Sequence, residues 1–239
     1  MNPKLRQIIQ NVSRRFVVIE GLDGSGKSTQ VKLLTEYLER RGVRYRFLHF
    51  PRLEEGVFGK LIARFLRGEM GEIDRVDPYL VALIFAGDRA AAAPLIRMWM
   101  EEGNLVIVDR YVYSNIAFQC AKLGSAADRE QLRNWILELE FGTNQLPRPD
   151  LNLLLDVPFE FTRRQLERSR DGDDRAYLKG ERDIHEEDLE FQEKVRREYL
   201  SLRQSCDDLL LLDCSGARGG MLTAGEISEL IIKQLEIEA

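Results

Sequence analysis

The stretch Glu20-Gly-Leu-Asp-Gly-Ser-Gly-Lys-Ser-Thr29 constrains this chain most, because of what flanks it. Before it stands Phe16-Val-Val-Ile19, an apolar run of buried-strand type. After it, Val31, Leu34 and Leu38 repeat at three and four residues, and Gly42 supplies a helix stop. Gly21 to Ser28 fit G-x-x-x-x-G-K-[ST], the loop that cradles phosphates between a strand and a helix. Glycines let the backbone wrap a polyphosphate with several N–H groups pointing inward, and the positive end of the following helix adds to that field. The expected nucleotide-phosphate contacts are therefore Gly21, Leu22, Asp23, Gly24, Ser25, Gly26, Lys27, Ser28 and Thr29. Lys27 would reach the β- and γ-phosphates, and the Ser28 hydroxyl would help hold Mg²⁺.

A chain of 239 residues fits one α/β domain with a full core, and 44% hydrophobic with 31% charged residues is a globular composition. The net charge of −5 gives no reason to expect nucleic-acid or membrane-surface binding, while a local arginine cluster can still hold a small anion. Cys120, Cys206 and Cys214 are scattered and odd in number, which points to reduced thiols and a cytoplasmic location. With two histidines a His-based zinc site is not expected, and no apolar run approaches the length of a membrane span. Residues 1–15 carry Leu5, Ile8, Ile9 and Val12 at helical spacing among basic residues, and read as an amphipathic helical extension or, alternatively, a transit peptide.

Buried-strand patterns recur at Phe16–Glu20, Tyr45–His49, Leu105–Asp109, Leu151–Asp156 and Leu209–Asp213. Helix-period segments fill the intervals: Gly56–Leu66, Pro78–Met100 with an interruption near Pro94, Val112–Leu123, Asp128–Phe141, Phe159–Arg168, Glu186–Gln204 and Ala224–Ile237. This alternation predicts a five-stranded parallel sheet flanked by helices, with no second domain in residues 16–239. Ligands in such folds bind at the carboxyl ends of strands, so the acids ending three of the strands are candidates for chemistry. One of them, Asp109, fits a Mg²⁺-tuning strand-end acid, and Arg110 after it could neutralise phosphate charge.

Several separated blocks follow one another: the loop through Gln30, Phe50-Pro-Arg52, Phe85-Ala-Gly-Asp-Arg89, Asp109-Arg-Tyr-x-x-Ser-Asn115 with Ala117-Phe118, and Leu146-Pro-Arg-Pro-Asp150. In that order they resemble thymidylate kinase, over nearly the whole chain from Phe16 to the C-terminal helix. The resemblance implies the P-loop nucleoside monophosphate kinase fold and transfer of the γ-phosphate of ATP to dTMP, with Mg²⁺, by a homodimer.

By resemblance, Asp23 accepts from the acceptor's 3′-hydroxyl and Arg52 grips its monophosphate beside Phe50. Phe85 stacks on the pyrimidine, Arg89 reaches a base carbonyl, Asn115 reads the polar edge, and Ser114 is counted among the substrate contacts. Phe118 leaves no room for a ribose 2′-hydroxyl, because burying a hydroxyl without a partner costs about 1–3 kcal/mol. The charged segment 169–183 resembles a mobile lid. Some relatives carry a catalytic arginine in the phosphate loop; Gly24 stands there in this chain, so the charge falls to Arg168, Arg170, Arg175 or Arg182, together with Lys27 and Arg110, in the bacterial manner. Asp183 and His185 look like groups closing over the nucleoside, and Glu186 like a water-mediated Mg²⁺ contact beside Ser28 and Asp109. Ile184 departs from the arginine of some relatives.

Two alternatives are a kinase for another pyrimidine nucleotide or deoxynucleoside and a non-catalytic nucleotide-binding protein. A GTPase-type switch is disfavoured: no Asn-Lys-x-Asp motif occurs, and Asp109-Arg-Tyr stands where Asp-x-x-Gly would.

Overall fold

A computed structural model describes residues 15–73, 75–167, 178, 183–216 and 220–235. The order is β1 (Phe16–Glu20), α1 (Lys27–Arg41), β2 (Tyr45–His49), α2 (Gly56–Leu66), α3 (Pro78–Glu101), β3 (Leu105–Asp109), α4 (Val112–Cys120) and α5 (Ala126–Leu137). A π-helical turn (Glu138–Thr143) follows, then β4 (Leu151–Asp156), α6 (Phe159–Glu167), α7 (Ile184–Glu187), α8 (Leu189–Ser205), β5 (Leu209–Asp213) and α9 (Ala224–Leu235). All five strands carry the bounds read from sequence.

The strands pair in parallel in the order β2-β3-β1-β4-β5. Successive side chains of a strand point to opposite faces, and both faces of β1 are apolar and covered. Phe16 and Val18 join a layer with Ala93, Ile96, Ile116, Val195 and Tyr199 from α3, α4 and α8. Val17 and Ile19 join Val31, Leu34, Ile227 and Ile231 from α1 and α9 on the other face. The chain leaves β1 for β2 and β3 on one side, then crosses to β4 and β5 on the other. The carboxyl ends of β1 and β3 thus lie side by side at the switch point, with Ile19 in register with Asp109, and that is where a ligand crevice forms.

Four local expectations are corrected. β2 is an edge strand rather than a buried one, with Phe47 40% exposed. α3 runs unbroken through Pro94: the proline lies on the exposed face, where water can satisfy the carbonyl it leaves unpaired. The helix expected over Asp128–Phe141 is α5 followed by the π-helical turn, in which Asn144 N–H donates to Leu139 five residues back at 2.8 Å. The helix expected over Glu186–Gln204 is α7 and α8, parted at Asp188, which adopts an extended conformation and caps α8 through Phe191 N–H at 2.9 Å.

α3 is also the one described helix long and apolar enough to cross a membrane by length and composition. It packs against the core and carries buried Asp88 and Arg89, as a core helix does.

Candidate active site

The phosphate loop is shaped by its backbone. Gly24 and Gly26 adopt left-handed conformations (φ 73° and 86°), which a side chain would strain, and Gly26 is the residue from which α1 starts. The Lys27 ammonium lies over the loop, donating to the carbonyls of Leu22 (2.7 Å) and Gly21 (3.3 Å). Burial, helped by the nearby charge of Arg110, pushes its pKa down to about 8, while Asp109, Asp23 and Glu20 oppose the fall.

Beside the loop the carboxyl ends of β1 and β3 bring four charged groups together. Arg110 has φ 66°, uncommon and costly for a residue with a side chain, and its N–H donates to Ile19. Its guanidinium donates to Asp23 Oδ1 at 2.5 Å and Ser114 Oγ at 3.2 Å, and lies 5.0 Å from the Phe118 ring centroid. Burial alone would raise the Asp23 carboxyl, but the charges of Arg110 and Lys27 hold it well below the usual carboxylate range. Asp109 is likewise held low, chiefly against burial, by a hydrogen bond from His49 and the charge of Lys27.

Glu20 is the acid the sequence reading passed over. It is fully buried, and accepts from the N–H groups of Tyr111 (3.0 Å) and Ser114 (3.3 Å) at the start of α4, from Ser114 Oγ (2.5 Å) and from Tyr199 Oη (2.9 Å). One carboxylate thus satisfies orphan donors at a helix N-terminus and ties β1 to α4 and α8. Burial raises its pKa against these contacts.

Farther along α4 the surface changes from charged to amphipathic. Arg89 is 1% exposed and makes a two-pronged contact with Glu140 of the π-helical turn, Nε to Oε2 at 2.8 Å and Nη2 to Oε1 at 2.5 Å. Asn115 Nδ2 donates to Glu140 Oε1 (2.9 Å) and to the Ala82 carbonyl (3.0 Å). His185 packs its ring against Phe65, Phe118 and Phe191 at 5.1–5.5 Å between centroids. Burial, with the charge of Lys122 next in weight, drives its pKa down to about 3, so the ring is neutral at physiological pH. Asp183 is buried and caps α7 by accepting from His185 N–H at 2.8 Å.

Lys27, Asp23, Asp109, Arg110, Arg89, Asn115, Phe118 and His185 line one cleft of about 1130 Å³, with Glu20 and Glu140 outside its lining. That exceeds the ~300–1,000 Å³ of a typical small-molecule pocket and leaves room for two nucleotides. Of the residues singled out from sequence, Asp23, Gly24, Gly26, Lys27, Ser28, Thr29, Phe50, Phe85, Arg89, Asp109, Arg110, Ser114, Asn115, Phe118, Asp183, His185 and Glu186 all border it. Gly21, Leu22 and Ser25 sit behind the loop surface; Leu22 and Ser25 are buried, and Leu22 belongs to the core.

Arg52 has partners that the sequence does not reveal. Its Nε and Nη2 donate to Asp88 Oδ1 (3.0 Å) and the Asp88 carbonyl (2.9 Å), and Nη1 to Glu55 (2.7 Å). The fork therefore faces α3 and braces the turn after the cis Phe50–Pro51 bond instead of bordering the cleft. Arg168, Arg170, Arg175 and Arg182, like residues 1–14, lie outside the described residues.

For Mg²⁺ the donor set fits. Asp109 Oδ1 is buried with no partner among the described residues, and Asp109 shares the cleft with the Ser28 hydroxyl and Glu186. These are hard oxygen donors, and Mg²⁺ is commonly held by one or two such groups plus substrate phosphates. Among the described residues no cluster of three or more His, Cys, Asp or Glu could form an all-protein cage.

A family model described as "Thymidylate kinase" matches residues 19–216. The "Probable thymidylate kinase" of Pyrococcus horikoshii is 35% identical over 201 residues, covering 83% of this chain and 87% of the relative. The "Thymidylate kinase" of Mycobacterium tuberculosis is 36% identical over 187 residues, covering 78% and 85%. A solved structure of the thymidylate kinase from Candida albicans, an enzyme described as having broad substrate specificity, superposes with a TM-score of 0.69 at 26% identity over 93% of this chain and 92% of that one. The cleft, the phosphate loop that borders it and these likenesses agree: the chain belongs to the thymidylate kinase family.

Proposed function

We propose that this protein transfers the γ-phosphate of ATP to dTMP, giving dTDP and ADP. The observation that carries the reading is the Asp23–Arg110 pair, which joins the ATP loop to the β3–α4 turn and, through the Arg110 bond to Ser114, to the helix lining the acceptor end of the same cleft. In phosphoryl transfer the protein's work is positioning and charge stabilisation. The backbone N–H groups of the loop and Lys27 receive the triphosphate. Arg110, held beside Asp23 and Ser114, stabilises negative charge on the transferring group. Asp23 orients the acceptor sugar, and Phe85, Arg89, Asn115 and Phe118 hold the base and exclude a 2′-hydroxyl. Mg²⁺, held by Ser28, Asp109 and Glu186, would neutralise charge on the phosphate oxygens.

The reading includes the bacterial subtype. Gly24 brings no charge to the loop, and the sequence supplies Arg168, Arg170, Arg175 and Arg182 in its stead. It also includes a homodimer, supported by exposed Val57 on α2 and Leu80 and Leu83 on α3. The free cysteines suit a reducing cytoplasm. Purified protein with ATP and Mg²⁺ is expected to form dTDP from dTMP faster than it phosphorylates dUMP, dCMP or UMP. A preference for another acceptor would sink the substrate assignment.

A further inference from the structure

We propose that Glu140 sets the selectivity of the cleft for pyrimidines carrying an N3–H imide, thymine and uracil, over cytosine, by locking which end of the Asn115 amide faces the nucleotide. The inference rests on reading this cleft as the dTMP site. Glu140 does not border the cleft; it is a positioning residue acting through two that do.

The amide end of an asparagine is fixed only by what surrounds it. Around Asn115 Nδ2 the neighbours are the Ala82 carbonyl at 3.0 Å and Glu140 Oε1 at 2.9 Å, both acceptors. Turning the amide over would set its oxygen against both. Asn115 Oδ1 is therefore the end left over, buried and without a partner among the described residues, on a side chain that borders the cleft. It can only accept.

Thymine and uracil present N3–H between two carbonyls. Cytosine presents a lone pair at N3 and an amino group at C4. Opposite Asn115 Oδ1, the imide makes a hydrogen bond where cytosine sets lone pair against lone pair. Arg89 discriminates in the same sense. Its Nε and Nη2 are taken by Glu140, which leaves Nη1 as a donor for a base carbonyl and a poor neighbour for an amino group.

Both preferences descend from one carboxylate. Only an acceptor-only group can take both Arg89 bonds and the Asn115 bond on two oxygens, and its charge offsets the guanidinium in a buried place. The π-helical turn supplies that group between α3 and α4, and such widened turns recur at functional sites.

The test compares kcat/KM for dTMP, dUMP and dCMP in the wild type and in Glu140→Gln, whose amide brings a donor into a ring of donors. The dTMP-to-dCMP ratio is expected to fall about 10- to 100-fold, chiefly through KM for dTMP, while the dTMP-to-dUMP ratio stays unchanged because both bases carry the imide. A purely structural Glu140 would depress all three nucleotides together, and that result, or an unchanged dTMP-to-dCMP ratio, overturns the proposal. Should Glu140→Gln not fold, Glu140→Asp keeps the charge beside Arg89, withdraws the oxygens by one methylene and carries the same expectation. Asn115→Ala gives a route independent of Glu140: a dTMP-to-dCMP ratio unchanged from wild type in that variant overturns the proposal, and Glu140→Gln added to it should lower the ratio further only by the share that passes through Arg89. A wild type that makes no dTDP sinks the reading of the cleft instead.

Discussion

In the proposed reading, recognition at the phosphate end of the cleft is built from backbone and one lysine within a single stretch between β1 and α1, whereas at the base end it is assembled from side chains on α3, α4, α7 and the π-helical turn. The difference follows from the ligands. A phosphate is a charged group that any set of N–H donors can hold, so a short loop with two left-handed glycines suffices. A base is an apolar plate with a patterned polar edge, so it needs aromatic walls and polar atoms aimed from several directions. Damage at the first end should therefore weaken every nucleotide alike, and damage at the second should change the ranking among them. Lys27→Ala is the strongest test. Loss on the order of 10³-fold or more in kcat/KM is expected, equal for dTMP and dUMP, in steady-state assays of ADP release.

Glu20 lets the comparison be broken from the middle. It belongs to the strand that feeds the phosphate loop, yet its oxygens hold the start of α4, which carries the base end. Glu20→Ala would strand two backbone N–H groups and one of the two hydroxyl protons shared by Ser114 and Tyr199 in a buried place. A destabilisation of about 2–4 kcal/mol is expected in denaturant titration, with both ends of the cleft impaired together. Impairment of phosphate binding alone would mean that the ends are independent.

The same contrast explains what could be read in the sequence. Strands, with their short apolar runs and turn residues, were legible to the residue, and so was the loop, because its chemistry is contiguous. Arg89 and Asn115 were legible as candidates through block resemblance, but their shared partner was not. Glu140 sits in Glu-Leu-Glu-Phe, where nothing distinguishes a buried acid from a solvated one, and only the π-helical turn carries it between α3 and α4. Arg52 shows the complementary limit: an arginine after Phe-Pro reads as a phosphate clamp, and nothing local in the sequence reveals that Asp88, a helix away, also meets its fork.

Phe118 is a cleaner probe of the base end than the buried network, because it borders the cleft without carrying a hydrogen bond of its own. Phe118→Ala opens space where a 2′-hydroxyl would sit, and also frees the Arg110 guanidinium stacked 5.0 Å from the ring centroid. The ratio of kcat/KM for dTMP over its ribonucleotide counterpart is expected to fall roughly tenfold. An unchanged ratio with lower activity on both would assign the ring to positioning Arg110 and move it to the phosphate side of the comparison.

The smallest expected effect is also the most specific to the phosphate end. Lys27 is charged below a pKa of about 8 and neutral above it. Raising the pH removes the cation that meets the triphosphate, so capture of ATP weakens as pH rises. From pH 7 to 8.5, kcat/KM for ATP should fall about fourfold, since that parameter reports the free enzyme. Once phosphates lie against the ammonium its charged form is favoured, so kcat, which reports the complex, should stay level over the same range. Among the described residues bordering the base end no cation has that dependence: Arg89 is held above its already high value by Glu140 against burial, and Lys122, which burial pushes down to about 7, packs over Phe65 outside the cleft lining. His185, neutral from about 3 upward, has finished titrating. Saturating dTMP should therefore leave the inflection in place, and an inflection that moved with dTMP would tie the two ends of the cleft to one titrating group.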